Sequence, residues 1–259
     1  MTSGIPDTSG TEGVTAPPLT CGVPGSPDTP RDPREAALKK TNGKPGTRRE
    51  CSLNRDMVFE LWREDTCHII SENYSYKTES YYRILRHELE GKKVRPSSGA
   101  VLDAYVVPIC LERAHLAGIP VCEWGISPAY APLPSVLYGL NYFANTAEYC
   151  IAGDEEQVKV AVRHLTNKGK YPFCYQKLAD GATIDTCRAV FGKTAGKCRS
   201  VEQLAERVYE LFAIPLVTMV TVSDRNGPRL SSLSPTRYSQ LSDEERSLLH
   251  AYLNHQEFL

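Results

Sequence analysis

The sequence of 259 residues lacks the features that mark exported, membrane-spanning and strongly charged proteins. No apolar run approaches the roughly 18 residues that a membrane-spanning helix needs. The N-terminal region has no hydrophobic signal core and carries Asp7 and Glu12, which is not typical of a secretory or transit peptide. The formal net charge of −1 gives no general electrostatic reason to bind nucleic acid or a membrane surface. We therefore expect a cytoplasmic protein that binds no membrane, and the charge does not favour nucleic acid as a partner.

Several catalytic and metal-binding motifs are also absent. The nine cysteines include no Cys-x-x-Cys pair, and the sequence contains no His-Glu-x-x-His and no Gly-x-Ser-x-Gly. Three of the cysteines, Cys67, Cys150 and Cys174, lie in apolar segments, where a free cysteine behaves as a small hydrophobic residue. Gly192-Lys193-Thr194 resembles the end of a phosphate-binding loop, but Cys187 stands where that motif needs glycine. The sequence thus predicts no metal site and no phosphate-binding loop.

Residues 1–50 differ in composition from the rest of the chain. They contain eight prolines and seven glycines and no aromatic residue. Such a segment cannot bury enough apolar area to offset the entropy lost on ordering. We therefore predict a disordered tail over residues 1–50 and a single α/β domain over residues 51–259.

Hydrophobic periodicity beyond the tail predicts strands alternating with helices. Strands are expected at 67–70, 149–153, 173–178, 183–191, 216–222 and 229–233, and Asn226-Gly227 predicts a tight hairpin before the last of these. Helices are expected at about 80–90, at 154–165 with Asp154 as its cap, at 200–212 with Ser200 as its cap, and in two pieces around Pro108. Ser242 and Glu245 predict a capping box at the start of a last helix. The 127–145 segment, rich in Pro, Gly, Tyr and Asn, is predicted to be a long loop. The fold class expected is α/β or α+β, with helices packed on a mixed sheet.

A tyrosine-rich turn between the first strand and the first helix is the most distinctive feature. Tyr74, Tyr76, Tyr81 and Tyr82 fall within nine residues. Tyrosine joins a flat apolar ring to a polar tip, which suits a binding surface. Five basic residues flank this turn and are candidates for binding an anion: Arg83, Arg86, Lys92, Lys93 and Arg95.

Two blocks together resemble the RimK-like ATP-grasp N-terminal domain. The first block runs from Asn73 to Tyr82 and continues to Val94-Arg95-Pro96-Ser97. The second comprises Cys187 to Lys193, the helix ending at Phe212, Ile214-Pro215-Leu216, and Arg229 to Pro235. The binding residues that match these blocks are Tyr74, Tyr76, Lys77, Tyr81, Tyr82, Arg95, Phe191, Gly192 and Lys193.

The resemblance implies a module that precedes an ATP-grasp ligase domain, which activates a carboxylate as an acyl phosphate and joins it to an amine. Because the sequence ends where that ligase domain would start, we expect a non-catalytic module that recognises a substrate or partner. No cofactor is then expected in this chain, and ATP and Mg²⁺ are expected only in a partner ligase. The expected partners are an ATP-grasp ligase in trans and a peptide or acidic substrate.

Two alternatives stay open at this point. The chain is an enzyme in its own right, with a site near the 127–145 loop, or it binds nucleic acid weakly. No catalytic residue can be named from the sequence.

Overall fold

A computed structural model describes residues 53–140 and 146–255, and all structural statements below concern these residues. The strands are β1 (Val58–Arg63), β2 (Thr66–Ser71), β3 (Lys93–Arg95), β4 (Trp124–Ser127), β5 (Ser135–Gly139), β6 (Cys150–Ala152), β7 (Phe173–Lys177), β8 (Thr183–Val190), β9 (Leu216–Asp224) and β10 (Gly227–Ser234). The helices are α1 (Glu79–Leu89), α2 (Ser98–Ala104), α3 (Val107–Leu116), α4 (Glu155–Leu165), α5 (Arg199–Phe212) and α6 (Asp243–His255). A short 3-10 turn lies at Tyr238–Gln240.

Sheet A contains β1, β2 and β3 in that spatial order. β1 and β2 form an antiparallel hairpin, whereas β3 pairs with β2 in parallel after the chain has crossed over through α1. The Thr78 hydroxyl caps α1 by accepting a hydrogen bond from the Tyr81 backbone N–H. Ser80 and Ile84 are buried, as their spacing on one helix face predicts. This places the tyrosine-rich turn at the entry to α1.

Sheet B contains β8, β9 and β10, all antiparallel, with β9 in the centre. The predicted Asn226-Gly227 turn joins β9 and β10, and Gly227 has the positive φ of +103° that such a turn needs. α5 packs on one face through Leu204, Val208 and Phe212, which share a core with Met219 of β9. The other face of the sheet is left for sheet C and for α6.

Sheet C is a four-stranded antiparallel sheet in the order β4-β7-β5-β6, covered by α4. β5 lies inside the 127–145 segment that the sequence analysis predicts to be a loop, so that prediction is wrong for residues 135–139. Proline and glycine flank a short apolar run there, and burial against β6 and β7 stabilises the run as an inner strand. Residues 141–145 of the predicted loop lie outside the described residues.

Sheets B and C meet through a layer of polar contacts within an apolar core. The Tyr138 hydroxyl of β5 lies 2.7 Å from the Ser231 hydroxyl of β10. The Gln176 side-chain amide donates to the Ser231 carbonyl at 2.8 Å. The Thr146 hydroxyl donates to the Leu233 carbonyl at 2.6 Å. These contacts fix the position of sheet C relative to β10.

Most of the predicted elements are confirmed, and so is the mixed α/β fold class. The prediction of two helical pieces around Pro108 is confirmed, because α2 and α3 are separate helices and Pro108 lies in the first turn of α3. The predicted Ser200 cap is wrong: α5 begins after Cys198, which gives no side-chain cap. The predicted disordered tail over residues 1–50 lies outside the described residues. Among the described helices, none has the length and apolar character needed to cross a membrane.

Candidate functional site

Two polar rows cross one face of sheet B. In an antiparallel sheet, residues directly opposite one another on neighbouring strands lie on the same face. The register therefore aligns Arg188, Thr218 and Ser234 in one row, and Thr186, Val220 and Ser232 in the next. Five of these six side chains are polar, although the opposite face of the same strands is the apolar surface that packs against α5.

A β-bulge in β10 brings an additional serine towards sheet C. The register between β9 and β10 shifts at Leu230/Ser232, so Ser231 is the extra residue. A bulge re-aims a side chain because two residues of one strand face a single residue of the other. As a result the Ser231 hydroxyl contacts Tyr138, while the Ser232 hydroxyl donates to the Thr146 carbonyl at 2.8 Å.

Not all of these buried polar atoms are paired. The Thr218 and Thr236 hydroxyls lie 2.8 Å apart and pair with each other. The Ser234 hydroxyl and the Gln176 side-chain oxygen are buried without a hydrogen-bond partner among the described residues. An unpaired buried polar group costs about 1–3 kcal/mol. Such atoms therefore mark positions where water or a polar ligand would stabilise the protein.

A pocket of about 460 Å³ opens at the β8 edge of this polar face. It lies between β8, the connection that leads to α5, and the first turn of α6. Its lining residues are Thr186, Cys187, Arg188, Ala195, Lys197, Ser242, Asp243, Glu244 and Glu245. The pocket thus brings two cationic side chains next to three carboxylates.

The charged groups of the pocket are held in different ways. Glu245 is almost fully buried, and it accepts a hydrogen bond from the Ser242 backbone N–H at 2.7 Å, while Ser242 Oγ accepts one from the Glu245 N–H. This is the predicted capping box of α6. Arg188 Nη1 lies 3.7 Å from Glu245 Oε2, and this is the one ion pair that Arg188 makes with the described residues. Its other guanidinium donors can therefore bind a ligand. Lys197, Asp243 and Glu244 are exposed to solvent at the mouth.

The cysteine in the pocket wall is not set up as a nucleophile. Burial raises the pKa of the Cys187 thiol to about 11, and nearby Asp185 and Glu245 act in the same direction, while Lys197 lowers it. The thiolate is the reactive form of cysteine. At neutral pH Cys187 is therefore an inert thiol, and the chemistry of the pocket comes from its charged groups.

The residues predicted from the tyrosine-rich block lie in the turn between β2 and α1, in α1 and in β3, and none of them lines this pocket. Tyr74 is fully buried, and its hydroxyl donates to the Ile69 carbonyl and accepts from the Ser71 N–H. It closes the turn rather than facing solvent. Tyr81 is half-buried against the core, with its ring 6.4 Å from that of Tyr82.

The remaining members of that block are exposed to solvent. Tyr76 is 41% exposed and Tyr82 is 54% exposed. Lys77 Nζ lies over the Tyr76 ring at 5.5 Å, and Arg95 is exposed on β3. A binding role for these four side chains stays a prediction.

The second predicted block has a structural explanation for each residue. The Phe191 ring stacks on that of Tyr252 with the ring centroids 3.4 Å apart. Gly192 has a φ of +76°, and a Cβ placed there would lie 2.9 Å from the Tyr209 Cβ. Lys193 forms an ion pair with Glu206 of α5. These three residues shape the β8–α5 connection and do not line the pocket, although they immediately precede the segment that does.

Comparison with known proteins gives similarity only among solved structures. No protein-family model matches the chain, and no curated protein matches it. A RimK domain ATP-grasp protein from Sphaerobacter thermophilus is 16% identical, with a TM-score of 0.47 over 66% of this chain and 76% of that chain. The ATP-grasp ligase PsnB, in complex with a minimal precursor, Mg and ADP, is 15% identical, with a TM-score of 0.42 over 60% and 58%. The D-alanine-D-alanine ligase of Helicobacter pylori is 12% identical, with a TM-score of 0.47 over 64% and 63%.

The chain therefore spans 58% of the PsnB chain and 63% of the D-alanine-D-alanine ligase chain. Two of these three neighbours are themselves ligases. The prediction of a non-catalytic recognition module is contradicted by these neighbours and is corrected here. Whether this chain precedes a ligase domain, and whether it acts with a ligase in trans, stay predictions.

The described residues differ in how well they suit a magnesium–nucleotide complex. The layer between sheets B and C offers hydroxyl and amide groups of Tyr138, Gln176 and Ser231, which are weak ligands for Mg²⁺ and triphosphate. The pocket beside β8 offers carboxylates, which Mg²⁺ prefers, and Arg188 with Lys197, which suit phosphate or carboxylate groups. Of these two places, the pocket therefore has the side chains that fit a magnesium–nucleotide complex.

Proposed function

We propose that this chain forms part of an ATP-dependent ligase that joins a carboxylate to an amine, with its charged binding site in the pocket between β8 and α6. The observation that carries the proposal is the pairing of Arg188 and Lys197 with Asp243, Glu244 and Glu245 around one cavity. Such a ligase has to hold an anionic group and a cationic group side by side. The sequence resemblance to an ATP-grasp module gives the same reaction class.

Each side of the pocket has a separate role in this proposal. Arg188 orients the phosphate or substrate carboxylate, since a guanidinium presents a planar set of donors that matches both groups. The side chains of Asp243 and Glu244 hold Mg²⁺ or the amine. Glu245 is buried and keeps Arg188 directed into the cavity across their 3.7 Å separation. When bound, ATP supplies the phosphoryl group that activates the carboxylate.

The anion-binding half of the site, which contains Arg188, is tested by binding of ATP with Mg²⁺ to the full chain, measured by calorimetry and by thermal shift. A ligand at 100 times its Kd stabilises the folded state by about 2.7 kcal/mol, which a thermal shift resolves. We expect Arg188→Gln to weaken binding at least about tenfold, the loss of one charge-assisted hydrogen bond. Arg225→Gln is the matched control, because Arg225 is exposed in the β9–β10 turn of the same sheet.

The cation-binding half of the site is tested with Asp243→Asn and Glu244→Gln, both at exposed positions. We expect each change to reduce the part of the nucleotide affinity that depends on Mg²⁺. Glu245 is left intact because it also caps α6. No binding of ATP–Mg²⁺ to the wild-type chain, or equal affinity in Arg188→Gln and Arg225→Gln, would show that the pocket is not this site.

A further inference from the structure

Three side chains of types that can bind a metal meet on one face of sheet A, far along the chain from the pocket residues. Glu60 of β1, Cys67 of β2 and His87 of α1 each offer one ligand atom, and these atoms all lie within 4.8 Å of one another. In the β1–β2 register Cys67 lies opposite Trp62, which shares a face with Glu60 two residues earlier. α1 covers this face, with Ile84 and His87 on its inner side.

We propose that Glu60, Cys67 and His87 form a binding site for a zinc ion, with three protein ligands and an open fourth position. This site lies outside the proposed ligase pocket and does not depend on it.

The separations are close to those of a tetrahedral zinc site. Metal–ligand distances of about 2.0–2.3 Å place tetrahedral ligand atoms about 3.3–3.6 Å apart. His87 Nε2 and Glu60 Oε2 are already 3.5 Å apart. The other ligand atoms lie within 4.8 Å of one another, so no pair has to contract by more than about 1.5 Å to reach this geometry.

The surroundings orient two of the three ligands. Arg83 Nη1 donates to Glu60 Oε1 at 3.1 Å, which leaves Glu60 Oε2 directed at His87. On the other side of the ring, His87 Nδ1 is buried without a hydrogen-bond partner in the described part of the chain, and it lies 4.0 Å from Glu90 Oε2. A metal-bound histidine characteristically presents its second ring nitrogen to a carboxylate, and Glu90 stands in that position. The edge of the Trp62 ring system packs against the imidazole, with the ring centroids 5.5 Å apart.

The donor set selects zinc over the common hard cations. Thiolate and imidazole ligands suit zinc, whereas Mg²⁺ and Ca²⁺ prefer an all-oxygen shell. Burial, followed by the Glu60 carboxylate, raises the pKa of Cys67 to about 11, although Lys92 acts in the opposite direction. Zinc binding replaces the thiol proton, which is released to solvent, so the affinity rises with pH.

The test is titration of the full chain with Zn²⁺ by calorimetry and with Co²⁺ by absorption spectroscopy. Cys198 is exposed, and Cys21 and Cys51 lie outside the described residues, so all three are changed to serine in the background chain. We expect one metal ion per chain, intense visible cobalt bands typical of a tetrahedral site, and a thiolate-to-cobalt charge-transfer band. Removal of zinc with a chelator should lower Tm.

Ligand variants decide whether the three side chains act together. His87→Gln and Glu60→Gln change partly exposed side chains, and each should reduce zinc affinity at least about tenfold. Glu79→Gln is the matched control, because Glu79 also pairs with Arg83 but offers no ligand to the site. Equal affinity in all three variants would overturn the proposal, and so would a cobalt spectrum without the thiolate band.

Discussion

Gly192 occupies a position that no other residue type fills without strain. Its φ is +76°, and an added Cβ would lie 2.9 Å from the Tyr209 Cβ and 3.2 Å from the Glu206 Cα. Left-handed backbone costs an L-residue about 1–2 kcal/mol, and overpacking costs about 1–3 kcal/mol more. We therefore expect Gly192→Ala to lower the free energy of unfolding by about 2–5 kcal/mol, measured by urea denaturation.

Gly196 provides the control for crowding. Its φ is +64°, but an added Cβ there meets nothing within 4 Å. Gly196→Ala should therefore show only the backbone cost of about 1–2 kcal/mol. Equal losses in the two variants would mean that contact with α5 does not restrict position 192.

His68 is expected to make stability depend on pH. It is buried in β2, where burial, followed by the nearby Arg95 and Arg63 charges, lowers its pKa from 6.5 to about 4. Between these values the unfolded chain binds a proton that the folded chain does not. The free energy of unfolding is therefore unaffected by His68 above pH 6.5. As the pH falls from 6.5 towards 4, protonation of His68 in the unfolded chain lowers this free energy by about 3 kcal/mol at most.

Unfolding free energies at several pH values between 4 and 7 measure this effect. His68→Gln should flatten the pH dependence in this window, because the substituted side chain does not titrate. His164→Gln, at an exposed position of α4, should leave the dependence unchanged. An unchanged slope in His68→Gln would assign the pH dependence to other groups.

At the scale of secondary structure, the N-terminal cap of α4 was predicted from the sequence. The Asp154 side chain accepts a hydrogen bond from the Gln157 N–H at 2.8 Å, in agreement with the predicted cap. Loss of such a cap typically costs about 1 kcal/mol. We expect Asp154→Ala to lower the free energy of unfolding by about this amount, measured by urea denaturation.

Glu155→Ala is the appropriate comparison for that cap. Glu155 is exposed and also adds negative charge to the first turn of α4, but it accepts no capping hydrogen bond from the described residues. Its replacement should cost only the few tenths of a kcal/mol expected of a charge near a helix N-terminus. A loss as large as that of Asp154→Ala would show that charge rather than capping stabilises the helix start.

The elements that were predicted wrongly share one property: their local sequence conflicts with their environment. β5 lies in a segment rich in proline and glycine, and it is a strand because β6 and β7 pair with both of its edges. α5 starts at Arg199, before the predicted cap Ser200, and the connection that precedes it packs against α5 through Gly192 and Lys193. Propensity is a weak guide where tertiary contacts decide the backbone.

At the scale of the whole molecule, we expect the side chains that connect sheets B and C to be energetically coupled. The Tyr138 and Ser231 hydroxyls lie 2.7 Å apart in a buried position, although 93 residues separate them along the chain. A double-mutant cycle with Tyr138→Phe and Ser231→Ala should give a coupling energy of about 1 kcal/mol. Tyr130→Phe, at a side chain that is 71% exposed, should show no coupling with Ser231→Ala.

The pocket beside β8 could not have been predicted from the sequence. Arg188, Lys197 and Glu245 come from three segments, and only the antiparallel register of sheet B and the packing of α6 bring them together. The capping box at Ser242 was recognisable as a helix start but carries no signal of a site. The zinc ligands Glu60, Cys67 and His87 likewise form no spaced motif, because they lie on two strands and a helix.

The sequence by itself determined the mixed α/β class, most helix and strand positions, the Asn226-Gly227 hairpin and the caps at Asp154 and Ser242. These features depend on contacts between residues that are close along the chain, so local patterns predict them. Only the tertiary structure decided that Tyr74 is buried, that β5 is an inner strand, and that charged residues gather beside β8. Each of these depends on strand register and on packing between distant segments, and no local pattern encodes the register of strands separated by a helix.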